Sequence, residues 1–99
     1  MKNPLKYKKI KFNSSWEVSY AKYLDKQDTE WEYRHKTFDL GDIKYTPDFY
    51  LPESDTWVEI KGSWRKEAKK NFDLFRKRYY SMNILLLTFK ELKKMDVLK

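Results

Sequence analysis

Ninety-nine residues, 40% apolar and 18% aromatic, are enough for one domain with a real core, and no stretch reaches the roughly 20 apolar residues a membrane-crossing helix needs. The chain has no cysteine, which excludes disulfides and thiolate metal sites and makes a reducing cytoplasm the expected compartment. The net charge of +7 is unevenly spread: residues 1–12 carry five Lys and no acid, 13–60 eleven acids against five bases, and 61–99 twelve bases against four acids. Basic flanks around an acidic middle point to a polyanionic partner, with something cationic held at the middle.

"MKNPLKYKKIKF" is basic with no apolar run behind it, so it is not read as a secretory signal. Lys2, Lys6, Lys8, Lys9 and Lys11 are expected to form a mobile N-terminal arm that lies on phosphates; the plainer reading is a solubilising tail. "SSWE" predicts a helix from Ser14, with Glu17 at capping-box spacing and Trp16, Tyr20, Tyr23 and Leu24 as its apolar stripe. "WEYRHKTF" (31–38) alternates and predicts a strand. A turn at Gly41-Asp42 returns the chain as a second strand, most secure over 45–51, in which Pro47 marks an edge or a bulge. "PESD" is a turn, and "TWVEIK" (56–61) a third strand. A second helix is expected over 64–79, with Trp64, Ala68, Phe72, Phe75 and Tyr79 facing inward. "NILLLTF" (83–89) reads as a strand buried on both faces, and 90–97 as a short lysine-rich helix. The fold class is therefore α/β (α+β), with a mixed four-stranded sheet flanked by helices. Three strands form a meander and the fourth runs parallel to an inner one.

Strand alternation puts Trp57, Glu59 and Lys61 on one face and Asp48 on the same face as Thr46 and Tyr50. If the two strands are neighbours, Asp48 and Glu59 meet. Two adjacent carboxylates repel unless a cation lies between them, and a hard divalent ion such as Mg²⁺ or Mn²⁺ favours such oxygen ligands. Glu17 leans from the first helix toward the sheet. Each residue also has a plainer explanation: the capping box for Glu17, a same-face ion pair for Glu59 and Lys61, turn chemistry for Asp48. His35, the sole histidine, is read as structural, and Trp57 and Trp64 as core.

Pro47-Asp48, ten intervening residues, then Glu59-Ile60-Lys61 closed by Gly62 spell out a signature that resembles the PD-(D/E)XK nuclease superfamily. The acidic upstream helix and the amphipathic downstream helix extend the likeness over nearly the whole chain. The resemblance implies a restriction-endonuclease-like αβββαβ core and a Mg²⁺- or Mn²⁺-dependent endodeoxyribonuclease. "SSWEVSYAKYLD…YTPDFYL…WVEIKG" is similar to small phage and mobile-element endonucleases, including Holliday-junction resolving enzymes and the endonuclease subunits of heteromeric transposases. By this likeness Asp48 and Glu59 are metal ligands, the Ile60 carbonyl a third, and Glu17 completes the site. Lys61 orients or activates the attacking water.

DNA contact is assigned to Arg65, Lys66, Lys69 and Lys70 on the second helix, and to Lys8 and Lys9 at the N-terminus. With no room for a recognition domain in 99 residues, a structure-selective enzyme acting on branched DNA as a homodimer is expected. A homing, restriction-type or transposase-type cutter is the alternative within the enzyme class. A catalytically silent DNA-binding module of the same fold is the alternative outside it. Nothing in the chain excludes RNA as substrate.

Overall fold

A β-hairpin stands where a mobile arm was expected. In the computed structural model, which describes residues 4–98 and so leaves Lys2 outside the described residues, β1 (Lys6–Tyr7) pairs antiparallel with β2 (Ile10–Lys11). The two turn residues, Lys8 and Lys9, both have positive φ, 51° and 67°, as a type I′ turn requires. Neither is the Asn or Gly that usually signals such a turn, so its strain must be offset by tertiary contacts. Those contacts converge on Asp25, which accepts from the Tyr7 hydroxyl at 2.5 Å and the Trp31 indole at 2.8 Å and pairs with Lys8 at 2.9 Å. Phe12 then drops into the core, fully buried, against Tyr33 and Phe49.

Ser14 caps α1 (Ser15–Lys26), its side chain accepting the Glu17 amide N–H at 3.2 Å. Only half of the expected capping box forms, because the Glu17 carboxylate accepts from the Asn13 N–H at 3.1 Å and not from Ser14. Val18, Tyr20, Ala21 and Leu24 are the buried face.

The two long strands expected over 31–38 and 45–51 are each broken. Their ends form β3 (Glu32–Tyr33) with β6 (Phe49–Leu51) and β4 (Phe38–Asp39) with β5 (Lys44–Tyr45), both antiparallel. The break falls at Arg34, with φ of +49°, and at Pro47, which has no N–H to give a ladder. The Arg34 N–H still reaches the Asp48 carbonyl at 2.9 Å and holds the two halves together.

A 3₁₀ turn over Pro52–Ser54 leads into β7 (Thr56–Ile60), then α2 (Lys66–Arg78), β8 (Asn83–Leu87) and α3 (Phe89–Lys94). The main sheet has the order β3-β6-β7-β8; β6 and β7 are antiparallel, and β8 is parallel to β7, as a strand reached through a helix must be. The fold is thus α+β, with a mixed four-stranded sheet and helices on both faces. Trp64 lies before α2, not in it, and its ring packs 5.5 Å from Phe72. β8 is an edge strand, not one buried on both faces, and Leu85 is 48% exposed. Six-residue α3 is too short to cover the whole strand.

Two cores result. Phe12, the α1 face, Phe49, Val58, Ile60, Leu87 and Leu92 fill one side of the sheet. Phe38, Trp57 and Phe75 fill the other, bringing α2 and the β4–β5 hairpin onto it. No helix among the described residues is long and apolar enough to cross a membrane.

Asp25 ties the hairpin to α1 and to the segment entering β3, and its hydrogen bonds with Tyr7 and then Trp31 hold its carboxyl at about 2. Asp25→Ala is expected to cost about 1–2 kcal/mol, hence roughly 5–10 °C in Tm. Limited trypsin digestion should cut after Lys8 or Lys9 much faster than in the parent chain. An unchanged digestion pattern would show that Phe12 alone docks the hairpin.

Candidate active site

Register brings the acids together. Phe49 faces Val58, Tyr50 faces Trp57 and Leu51 faces Thr56, so the next opposing position pairs Asp48 with Glu59. Opposed residues of an antiparallel pair share a face. Here it is the α2 face, where Tyr50 and Trp57 pack with ring centroids 4.3 Å apart. Asp48 does not continue the ladder by its backbone; its Oδ2 accepts the Ile60 N–H at 2.8 Å. The N–H and carbonyl of one strand residue project to the same side. The Lys61 N–H goes to Leu87 of β8, so Ile60 directs both its polar groups the other way, toward Asp48.

Glu59 Oε1 accepts a short hydrogen bond from the Tyr45 hydroxyl, and its Oε2 lies 3.4 Å from the Lys61 ammonium. Glu17 enters from the first turn of α1, where Oε1 accepts from the Tyr33 hydroxyl at 2.6 Å as well as from Asn13. Glu17, Asp48, Glu59, Ile60 and Lys61 line one cleft of about 280 Å³, together with Arg34, Tyr45, Ala68 and Asn71. Gly62 follows at a close approach: a Cβ there would lie 3.2 Å from the Trp16 indole of α1.

Glu17, Asp48 and Glu59 are 5%, 5% and 3% exposed, and they are the only buried polar or charged residues among those described. Burial raises the Asp48 carboxyl well above the usual carboxylate range, and the charges of Glu59 and Glu17 raise it further. The Ile60 N–H and Lys61 oppose this only in part. Glu59 is raised too, first by burial, against the Tyr45 hydrogen bond and Lys61. One ammonium therefore does not balance three buried acids.

Sequence reasoning missed Arg34, Tyr45 and Asn71 of the cleft lining, and Tyr33, which donates to Glu17. Tyr33 and Tyr45 passed as strand aromatics. Arg34 adds a cation at the rim, carried by its left-handed backbone. Asn71 was legible in principle: it stands three residues after Ala68 and four before Phe75, where the stripe of α2 would continue. Its Oδ1 is buried with no hydrogen-bond partner. His35, as expected, has a structural explanation, stacked on Tyr50 at 5.2 Å and beside Glu32 at 3.3 Å.

The basic residues divide. Arg65, Lys66, Lys69 and Lys70 are exposed at the N-terminal half of α2, next to Ala68 and Asn71 of the cleft. Lys66, Lys69 and Lys70 also line a shallow groove with Lys77 farther along the helix. Lys69 pairs with Asp73 at 3.2 Å, an exposed contact worth little. Lys8 and Lys9 sit elsewhere, at the hairpin turn beside Asp25, near the opposite end of α1 from Glu17.

Among the described residues no three His, Cys, Asp or Glu side chains are grouped as a ready metal-binding set. Compared with known proteins, the chain matches no family model, no curated protein and no solved structure.

The raised carboxyls fix the sign of a pH effect. Above the ordinary carboxylate range the unfolded chain has lost a proton that folded Asp48 still holds, so stability falls as pH rises toward and past neutrality. Asp48→Asn keeps an acceptor for the Ile60 N–H and removes the charge. In EDTA it should melt higher than the parent by roughly 4–8 °C at pH about 8, with a smaller gap at pH about 5. A lower Tm at both values would contradict the repulsion.

Proposed function

We propose that the chain is a metal-dependent DNA endonuclease with a restriction-endonuclease-like fold, hydrolysing phosphodiester bonds. The reading rests chiefly on one observation: all the buried charged side chains among the described residues line one cleft that Lys61 also lines. A protein rarely buries unbalanced carboxylates without a task for them.

The donor set fits a hard divalent ion. Asp48 and Glu59 offer carboxylate oxygens in a site short of positive charge, and the Ile60 carbonyl projects to the Asp48 side. These three groups would hold Mg²⁺ or Mn²⁺, and Glu17 on the wall of the same cleft would complete the set directly or through water. When bound, such an ion lowers the pKa of water and neutralises charge developing on phosphate.

The chain's own residues do the rest. The Lys61 side chain is 30% exposed and its ammonium lies 3.4 Å from Glu59, so it is held in place and still faces the cleft. From there it can donate to an attacking water or to a non-bridging phosphate oxygen, stabilising the negative charge of the transition state. Arg34 supplies a second cation at the rim, and the lysines of α2 form a strip along which a sugar-phosphate backbone can lie. A catalytically silent module would have no use for retaining three buried acids beside a lysine.

The test is cleavage of supercoiled plasmid, linear duplex and a four-way junction in Mg²⁺. Asp48→Ala and Lys61→Ala should each lose at least about 100-fold in rate with the fold retained by circular dichroism. Ca²⁺ should bind yet support little cleavage. An undiminished rate in Asp48→Ala would remove the assignment, and a faster rate on the junction than on linear duplex would mark the enzyme as structure-selective.

A further inference from the structure

Each buried acid at the cleft has one oxygen engaged by a neutral donor. The Tyr45 hydroxyl takes Glu59 Oε1, the Ile60 N–H takes Asp48 Oδ2, and the Tyr33 hydroxyl with the Asn13 N–H takes Glu17 Oε1. The other oxygens of Asp48 and Glu17 accept no hydrogen bond from the described residues, and that of Glu59 faces only Lys61. A neutral donor fixes the rotation of a carboxylate and leaves its charge intact. An Arg or Lys in the same place would cancel that charge and compete with an incoming cation.

The placement of the two phenols strengthens the point. Tyr33 ends β3 just before Arg34, and Tyr45 ends β5 just before Thr46-Pro47, so each stands beside a break in the meander. Both rings are also packed, Tyr45 against Phe75 at 4.7 Å and Tyr33 against Phe12 at 4.4 Å. A ring locked by packing delivers its hydroxyl to one spot, which is what orienting a ligand demands.

We infer that Tyr45 and Tyr33 are positioning residues that aim Glu59 and Glu17 at a divalent cation, a role that rests on the reading of the cleft given above. The two differ in weight. Glu59 Oε1 has Tyr45 as its one donor, whereas Glu17 keeps the Asn13 N–H if Tyr33 is lost.

Tyr45→Phe and Tyr33→Phe delete the hydroxyl and keep the packed ring. Mn²⁺ binding, measured by titration calorimetry on each folded variant, should weaken about 10–100-fold in Tyr45→Phe and by a smaller factor in Tyr33→Phe. Asp48→Asn serves as the control and should abolish the binding. Parent-like Mn²⁺ affinity in both variants, with Tm in EDTA lowered, would overturn the inference and leave the phenols as structural donors. If Asp48→Asn nevertheless abolishes binding, the reading of the cleft survives that failure. If the parent chain binds no Mn²⁺, both fall together.

Discussion

Asp48 and Glu59 face each other because β6 and β7 have a register that allows nothing else. Leu51 opposite Thr56 fixes it at the turn end, where Pro52–Ser54 and the left-handed Asp55 close the hairpin. Counting back past two further pairs, Tyr50–Trp57 and Phe49–Val58, leads to the two carboxylates. Sliding the register by one residue would turn Phe49 and Val58, both fully buried, out of their core, so the hydrophobic effect enforces the electrostatic conflict. Each of those side chains is worth roughly 1.5–3 kcal/mol of burial, and the two cores lock the register together. Repulsion between the acids is therefore a tolerated cost of packing the sheet this way.

Several features around the pair make sense as responses to that conflict. The break at Pro47 ends the ladder just before the acids, so Asp48 can bend its side chain to the Ile60 N–H. Arg34 adopts a left-handed backbone beside it, a strained state for a residue with a Cβ, and in return its N–H caps the Asp48 carbonyl. Gly62, lacking a Cβ, lets the Trp16 indole of α1 come close to the chain just beyond β7. A neutral phenol takes one oxygen of each glutamate, and Lys61 faces the other oxygen of Glu59. Strain, close packing and withheld charge all gather at one end of β7.

Much of this was legible in the residues, for identifiable reasons. Ser14 and Glu17 marked the start of α1 because N-cap chemistry is local, and the β7-α2-β8 order forced a parallel pair because a helix intervenes. Alternation grouped Asp48 with Tyr50 and Glu59 with Trp57, and the two acids were expected to meet on condition that their strands are neighbours, which the β6–β7 pairing meets. What failed depended on distant partners. The hairpin at Lys8-Lys9 carries no turn residue and exists because Asp25 and the Phe12 site hold it, contacts that no local pattern encodes. Arg34 looked like a strand residue, and only tertiary pairing reveals the kink. The apolar run of β8 resembled a central strand, yet its position at the sheet edge leaves Leu85 half exposed.

The hairpin and the cleft meet in α1, which is what makes the N-terminal segment relevant to chemistry. Asp25 near its C-terminal end clasps the hairpin, and Glu17 in its first turn reaches the cleft, about 12 Å apart along the axis. Phe12 and Asn13 close the circuit: Phe12 anchors the chain beneath Tyr33, and the next residue's N–H holds Glu17. On the function proposed above, Lys8 and Lys9 would serve the cleft through the rigidity of this loop more than through phosphate contact, since the basic residues of α2 are the ones next to the cleft. On the function proposed above, a polyanion at the cleft would meet α2 first, while the hairpin keeps α1, and with it Glu17, against the sheet.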